Sequence, residues 1–331
     1  MESKVTSSGK VRRHVLTLLV ANNEASVIAA TAILFFIFMF GSDGFLSSYN
    51  IFNVSRIAAL YIFIALGQAV VILIGGMNLS LGAIGGLSVI CLGYSMQVLG
   101  LSPIYAVIIS LLAGTILGAI NGYIVTKFNL NSFVATLASS FIFTGIVYGI
   151  SRGNAYQAIP VSFTLLGRRG IGPVPYLMVL AIFALIILFY VFRYTVFGRR
   201  LLATGGNLET ARLSGIDTTR MIIVANTASG AFAAMAGIFT VSWLGIAPPS
   251  AGQDWLITSF AIAVIGGTSL KGGKISPLGL LVSGILIALV KNGLIMLSVN
   301  IYFEQTFLGV IILGAVMLES ARTRFIRTRL Y

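Results

Sequence analysis

The chain has little charge, one cysteine and one histidine, and each shortage excludes a class of protein. Of its 331 residues, 9% are charged and 58% are hydrophobic, whereas soluble domains carry about 25% charged residues. A soluble domain is therefore excluded. Cys91 has no second cysteine to pair with, and His14 stands alone in a basic segment. We accordingly expect no intrachain disulfide, no metal site and no cofactor.

Acidic residues are few, eight against 21 lysines and arginines, and they avoid the middle of the long apolar segments. Carriers driven by protons or sodium usually need a titratable group at membrane depth, so this pattern argues against that class. The basic excess lies mainly at the ends of apolar segments and in the tails, where it sets topology. It indicates contact with membrane lipid, and no nucleic-acid partner is expected.

Ten apolar segments are long enough, or nearly so, to cross a bilayer as helices. They lie near residues 25–41, 55–75, 79–97, 103–125, 132–150, 174–193, 221–244, 256–268, 276–296 and 302–319. The eighth is short and ends at a glycine pair, so we expect that it does not cross as one straight helix. The predicted fold class is an all-α polytopic membrane protein with about ten transmembrane helices.

The distribution of basic residues predicts the orientation of these helices. A cytoplasmic N-terminus places most lysines and arginines on the cytoplasmic side, which puts both termini in the cytoplasm. The chain then divides into a basic tail over 1–24, a transmembrane domain over 25–319 with a cytoplasmic loop at 194–220, and a basic tail over 320–331. Lys291 lies inside a span, and we expect it either to reach the headgroups or to face a solute path.

Two glycine pairs interrupt the apolar sequence, and they indicate broken helices. The first break runs Gly75-Gly76-Met77-Asn78-Leu79-Ser80-Leu81-Gly82, and the second runs Gly266-Gly267-Thr268-Ser269-Leu270-Lys271-Gly272-Gly273. Each glycine costs a helix roughly 1 kcal/mol relative to alanine, and in lipid the freed backbone groups must find partners within the protein. Broken helices at membrane depth are tolerated mainly where they pack against protein or line a solute path. Two of them indicate a transporter, and their similarity suggests a parallel internal repeat.

The cytoplasmic loop contains the signals of a short helix. Asn207 is a favourable N-cap, Glu209 falls in the first turn, Arg212 lies near the end, and Gly215 supplies the stop. A helix of about two turns is too short to be stable alone. It is expected either to dock on a cytoplasmic partner, with Leu208, Ala211 and Leu213 exposed, or to lie on the lipid surface.

The second break partly matches a phosphate-binding loop. Residues 267–272 fit the first six positions of GxxxxGK[ST], but Gly273 stands where the lysine is required. The chain is therefore not expected to bind ATP through this motif.

Three blocks together resemble the membrane permeases of bacterial ABC importers of the ribose and monosaccharide class, which are related to the branched-chain amino-acid permeases. They are the first break, the segment Gly205-Gly206-Asn207 with residues 211–216, and the second break. The resemblance covers roughly residues 45 to 320. It implies a location in the bacterial cytoplasmic (inner) membrane, a second permease subunit that is identical or different, two cytoplasmic ATP-binding subunits, and a periplasmic or lipid-tethered solute-binding protein.

The resemblance also assigns roles to particular residues. The cytoplasmic helix would be the coupling helix that docks on the ATPase, through Gly205, Gly206, Asn207, Glu209, Ala211, Arg212, Leu213 and Gly215. The breaks would lie at the translocation path, with Gly75, Gly76, Asn78, Ser80, Gly82, Gly266, Gly267, Thr268 and Ser269 as candidates. No catalytic residue is expected, because ATP hydrolysis would belong to the partner.

The chain departs from the family pattern at a few positions. Asn78 replaces the usual aspartate, and Leu256 and Thr258 stand where sugar permeases often carry acidic residues. The expected function is import of a small polar solute, foremost a monosaccharide or polyol. Branched-chain amino acids or another small metabolite are the alternatives within this class. An ion-coupled secondary carrier and a non-transporting scaffold or sensor are the alternatives outside it.

Overall fold

The computed structural model describes residues 23–297 and the isolated positions 303, 306, 307, 309, 310 and 313. The two predicted basic tails and the predicted tenth span lie almost wholly outside the described residues.

Within the described ranges the chain forms twelve helices and one short hairpin. The helices are α1 (Asn23–Gly41), α2 (Ser48–Leu73), α3 (Leu81–Gln97), α4 (Pro103–Lys127), α5 (Ser132–Ser151), α6 (Val161–Arg168), α7 (Tyr176–Tyr194), α8 (Val196–Gly206), α9 (Leu208–Leu213), α10 (Thr218–Leu244), α11 (Trp255–Ile265) and α12 (Pro277–Met296). The hairpin is β1 (Gly170–Ile171) and β2 (Val174–Pro175).

Seven of the described helices are long and apolar enough to cross a membrane, namely α1, α2, α4, α5, α7, α10 and α12. The shorter apolar helices α3 and α11 coincide with two further predicted spans. The protein is therefore an all-α polytopic membrane protein, as predicted.

Helix α2 is the centre of the bundle, and α7, α10, α11 and α12 pack around it. Its side chains are buried from Ala58 to Leu73, as expected for a helix that is apolar on every side. It begins at Ser48, earlier than the predicted boundary near 55. The reason is an N-cap at Ser47, whose hydroxyl accepts a hydrogen bond from Asn50 N at 3.3 Å.

Glycines bring α4 and α10 into backbone contact. Gly114, Gly118 and Gly122 form one face of α4, and a Cβ at Gly118 would overlap the carbonyl oxygen of Asn226 in α10. A Cβ at Gly230 in α10 would in turn overlap the carbonyl oxygen of Gly114. Small residues at four-residue spacing permit this close approach between membrane helices.

Helix α11 covers only part of the membrane. Its 11 residues span roughly 16 Å, about half of a hydrocarbon core of roughly 30 Å. The preceding segment, 245–254, is not helical and packs along α3, where Gly82 meets Gly252 and Gly86 meets Ala251 through backbone atoms. The expectation that this span is not one straight helix is thus correct.

The segment from Ser151 to Pro173, between the predicted spans near 132–150 and 174–193, contains regular structure. It contains α6 and the first strand of the hairpin. Helix α6 is fixed to the end of α10, because Gly167 N donates to Ser242 Oγ at 2.8 Å and Arg168 Nε donates to Trp243 O at 3.1 Å.

The close approach of α4 and α10 predicts a large penalty for a single methyl group at Gly118. Gly118→Ala should lower the free energy of unfolding by about 1–3 kcal/mol, since the helices must separate to admit the Cβ. Gly145→Ala in α5 is the matched control, because its Cβ position has no described atom within 4 Å apart from its chain neighbours and the backbone of its own helix. Thermal unfolding in detergent measures both variants, and equal midpoints would contradict this packing.

Candidate functional site

The first break ends α2 with a Schellman motif. Gly75 N donates to Ile72 O at 2.8 Å, and Gly76 N donates to Val71 O at 3.0 Å. These two bonds satisfy carbonyl groups that the helix end would otherwise leave without partners. Gly75 has φ +78°, a conformation that side-chain-bearing residues rarely adopt. The first glycine of this pair is therefore required by the backbone itself.

The second break ends α11 in the same way. Gly267 N donates to Val264 O at 2.9 Å, and Thr268 N donates to Ala263 O at 3.0 Å. Here the left-handed residue is Gly267, with φ +84°, which is the second glycine of its pair. The two breaks thus end their helices with the same motif. In that motif Gly75, the first glycine of its pair, corresponds to Gly267, the second glycine of its pair.

Hydroxyl groups of α5 hold the backbone that follows the first break. Met77 N donates to Ser132 Oγ at 3.0 Å, and Leu79 N donates to Thr136 Oγ1 at 3.0 Å. Thr136 Oγ1 also lies within hydrogen-bonding distance of Met77 O, at 3.2 Å. These contacts give the broken helix the internal partners that lipid cannot supply.

The side chains of Asn78 and Ser80 face neighbouring helices and are fully buried. Asn78 Oδ1 accepts hydrogen bonds from Ser80 N at 3.0 Å and from Ser80 Oγ at 2.7 Å. Asn78 Nδ2 donates to Ser229 Oγ in α10 at 2.9 Å, and Asn121 Nδ2 in α4 donates to Ser80 Oγ at 2.7 Å. Asn78 therefore joins the break to α10, and Ser80 joins it to α4.

Sequence reasoning missed these partners of the first break. Ser132, Thr136, Asn121 and Ser229 are polar residues inside apolar spans, and such residues often make hydrogen bonds between helices. That signal marks them as partners, but it does not say which break they contact.

Both breaks and the end of α8 meet at one point, which we call the glycine junction (Leu73, Gly75, Gly205, Gly272 and Gly273). Gly273 N donates to Leu73 O at 2.8 Å. A Cβ at Gly205 would overlap Leu73 O, and it would lie 2.7 Å from Gly273 N. A Cβ at Gly272 would overlap Gly205 O and lie 3.0 Å from Gly75 N. The junction is thus built from backbone on backbone.

The predicted coupling segment is two helices and not a loop with one helix. Gly205 and Gly206 form the last turn of α8, which Thr195 caps by accepting from Gly198 N at 3.0 Å. The predicted short helix is present as α9, whose N-cap Asn207 accepts from Thr210 N through Oδ1 at 2.8 Å. Gly215 follows it with φ +79°.

Helix α9 presents an apolar and a charged surface to the outside. Leu213 is 84% exposed and Leu208 is 50% exposed; Glu209 and Arg212 are exposed as well. Ala211 is buried against its own chain, so its predicted exposure is wrong. A helix this short places one side on the protein, and that side carries Ala211.

The remaining predicted path residues have different surroundings. Gly266 packs against Gly279 at the start of α12, where a Cβ would lie 2.8 Å from Gly279 C. Thr268 is buried, and its hydroxyl has no hydrogen-bond partner among the described residues. Ser269 Oγ accepts from Lys271 N at 3.3 Å. These groups shape the second break, whereas Gly82 packs on the segment before α11.

One acidic residue pairs with the lysine that the sequence places inside a span. Asp254 is at the N-terminal end of α11, roughly 16 Å along that helix from the second break. Its carboxylate lies 3.7 Å from Lys291 Nζ of α12, and Lys291 Nζ also stands 5.7 Å from the ring centre of Tyr61. Asp254 precedes the predicted span that begins near residue 256, so the expectation that acidic residues avoid the middle of the spans stays a prediction.

The sequence matches a known family of transport proteins over most of its length. Residues 50–318 match the family described as branched-chain amino acid transport system, permease component, and the chain belongs to this family. The ribose import permease of Bacillus subtilis (strain 168) is 35% identical, over 85% of this chain and 88% of that protein.

Two further relatives come from Escherichia coli (strain K12). The D-allose transport system permease is 33% identical over 85% of this chain and 87% of its own length. The xylose transport system permease is 31% identical over 90% of this chain and 92% of its own length. No solved structure matches the chain. The resemblance to ribose and monosaccharide permeases is confirmed, and these relatives are transport components and not enzymes.

The glycine junction predicts that adjacent glycines differ sharply in tolerance. Gly205→Ala should reduce stability by about 1–3 kcal/mol, since the Leu73 carbonyl must move. Gly206→Ala is the control, because no described residue other than its chain neighbours and the backbone of α8 reaches within 4 Å of its Cβ position. Thermal unfolding of the purified protein compares them. Equal midpoints would show that α8 does not pack on the breaks in this way.

The hydrogen bonds of Asn78 predict which substitutions the first break accepts. Asn78→Ala removes the acceptor of two bonds from Ser80 in a buried position, and about 1–3 kcal/mol of stability should be lost. Asn78→Asp retains an acceptor and should retain more stability. Chemical unfolding of both variants measures the difference, and a more stable alanine variant would contradict the assigned contacts.

Proposed function

We propose that the chain is the transmembrane permease subunit of an ATP-driven importer that carries a monosaccharide or polyol across the bacterial cytoplasmic membrane. The observation that carries this proposal is the glycine junction, which joins the helix pair α8 and α9 to both broken helices. The relatives named above transport ribose, D-allose and xylose, and they supply the class of solute. A polytopic bundle with this connection suits transport that is driven by an ATPase bound to α8 and α9.

The proposed mechanism begins at α9. Its exposed Leu208 and Leu213 dock on a cytoplasmic ATP-binding subunit, with Glu209 and Arg212 beside them. A displacement of α9 moves α8, and α8 contacts the breaks through backbone atoms at Gly205. Because no flexible side chain lies between these backbones, the displacement cannot be absorbed by a change of rotamer. Packed elements of this kind transmit small shifts well.

The assembly completes the importer. We propose a second permease subunit, identical or different, two ATP-binding subunits, and a periplasmic or lipid-tethered solute-binding protein on the outer side. The permease itself has ten spans and both termini in the cytoplasm, with a transmembrane permease domain over 25–319 between basic tails over 1–24 and 320–331. Membrane lipid surrounds it, and nucleic acid and cofactors have no role.

The glycine breaks remain the proposed inner limit of the translocation path. Gly75 is exposed, and its turn depends on the buried bonds of Asn78 and Ser80 described above. Movement of the junction would shift these turns and thereby the path beside them.

A second candidate function rests on the Asp254–Lys291 pair. A carboxylate beside a lysine of a predicted span is a candidate group for ion coupling, as in a secondary carrier. The family description names branched-chain amino acids, whereas the relatives named above carry sugars, so amino acids form the alternative solute. The ATP-driven importer and the secondary carrier differ in whether an ATPase is needed.

Transport in reconstituted vesicles tests this proposal. Vesicles that contain the permease with its ATP-binding subunit are loaded with ATP, and the binding protein and the sugar are added outside. These vesicles should take up D-ribose, D-allose or D-xylose and should not take up leucine. Vesicles with the permease alone and a proton or sodium gradient are the control. Uptake there, without ATP, would favour the secondary carrier and overturn the importer.

The docking role of α9 makes a separate prediction. Leu213→Asp places a charge on a side chain that is 84% exposed, so folding should be unaffected while association with the ATPase falls at least tenfold. Ile171→Asp, on the hairpin at a side chain that is 69% exposed, is the matched control. Co-purification of the ATP-binding subunit provides the measurement. Equal recovery with both variants would refute docking through α9.

A further inference from the structure

A cavity of about 210 Å³ lies between the start of α3, the second half of α5 and the non-helical segment before α11. Gly82 and Gly86 form its α3 wall, and Gln253 and Leu256 lie on the opposite wall. This volume is several times the ~30 Å³ that a water molecule takes up in the liquid. It is below the roughly 300–1,000 Å³ of pockets for drug-sized ligands. The cavity therefore suits a small solute.

The α5 wall of the cavity carries three hydroxyl groups. Ser140, Thr144 and Tyr148 are spaced four residues apart, which places them in one row along the helix. The row continues from Thr136, the residue that holds the first break. Tyr148 accepts a hydrogen bond from Gln253 Nε2 at 2.8 Å, so the row is linked to the segment before α11.

The hydroxyls of Ser140 and Thr144 differ from those of Ser139 and Thr115. Ser139 Oγ donates to Ala135 O at 3.0 Å, and Thr115 Oγ1 donates to Leu111 O at 2.7 Å, as hydroxyls in helices commonly do. Ser140 and Thr144 make no such bond, or any other hydrogen bond, to a described residue. Their hydroxyls can therefore donate to and accept from a solute.

The chemistry of the walls selects the kind of solute. Among the described residues that line the cavity, none is charged, and hydroxyl and amide groups stand beside aliphatic side chains and glycines. Such walls match a neutral molecule with many hydroxyl groups, and they offer no counter-charge to an amino acid's carboxylate and ammonium groups.

We propose that this cavity is a solute-binding site on the translocation path, in which Ser140 and Thr144 bind hydroxyl groups of the sugar. Gln253, which donates a hydrogen bond to Tyr148, lies on the opposite wall. The proposal rests on the proposed function, because a sugar enters this cavity only if the chain transports sugars. It places the solute beside α5, whose first turns hold the first break. Helix α5 would then contact both the bound solute and the first break.

Uptake by the complete complex tests this site. The double variant Ser140→Ala/Thr144→Val removes two hydroxyls at nearly constant volume. Its initial uptake rate at low solute concentration should fall about tenfold, with whichever of D-ribose, D-allose and D-xylose the unaltered complex transports. ATP hydrolysis stimulated by the loaded binding protein should change less than twofold, since docking and the junction are unaltered.

The matched control is Ser139→Ala/Thr115→Val, which removes two hydroxyls that bond only to their own helices. It should transport as the unaltered complex does. Equal uptake by the two double variants would overturn the proposed site. A lack of ATP-dependent uptake in the unaltered complex would instead refute the importer, so the two failures are distinguishable.

A labelling experiment keeps the proposal testable if the double variant does not fold. Thr144→Cys in a Cys91→Ala background carries one thiol, which a small methanethiosulfonate reagent can modify. The transported sugar at saturating concentration should slow this modification several-fold. Modification at an unchanged rate would show that the sugar does not occupy the cavity.

Discussion

The structure depends on one constraint: a helix that breaks inside a membrane must satisfy its backbone groups within the protein. Both breaks meet it first by the same local device, a Schellman ending around a left-handed glycine, Gly75 or Gly267. The first break then recruits hydroxyls of α5 and the amide of Asn78, so that the extended residues have partners on three neighbouring helices. The interruption is thus fixed in position and not loose.

The same constraint explains the glycine junction. A backbone without side chains can pack directly on another backbone, and here the end of α8 meets both breaks through Gly205. This arrangement gives the helix pair α8 and α9 direct contact with the two irregular points of the bundle. The cavity beside α5 lies next to that system, since Thr136 holds the first break and Ser140 and Thr144 line the cavity.

Local signals in the sequence predicted much of this structure. Runs of apolar residues placed the described spans within a few residues, except at the start of α2. Asn207 and Gly215 placed α9, because caps act on the adjacent backbone. Contacts between distant segments were not predictable in this way. Nothing near Gly205 indicates that it meets Leu73, and nothing near Asp254 indicates that it lies beside Lys291. The prediction that Ala211 is exposed was wrong for the same reason, because distant segments that pack on a short helix determine which of its faces is buried.

The central claim is that α9 and the glycine breaks move together. Electron paramagnetic resonance distances between spin labels at Leu213→Cys and Leu270→Cys, in a Cys91→Ala background, would measure it most directly, with a third label at Ile120→Cys on α4 as reference. In the complete complex, addition of ATP should leave the 213–270 distance unchanged while both labels move relative to position 120. A change in the 213–270 distance with a stationary second break would contradict the account.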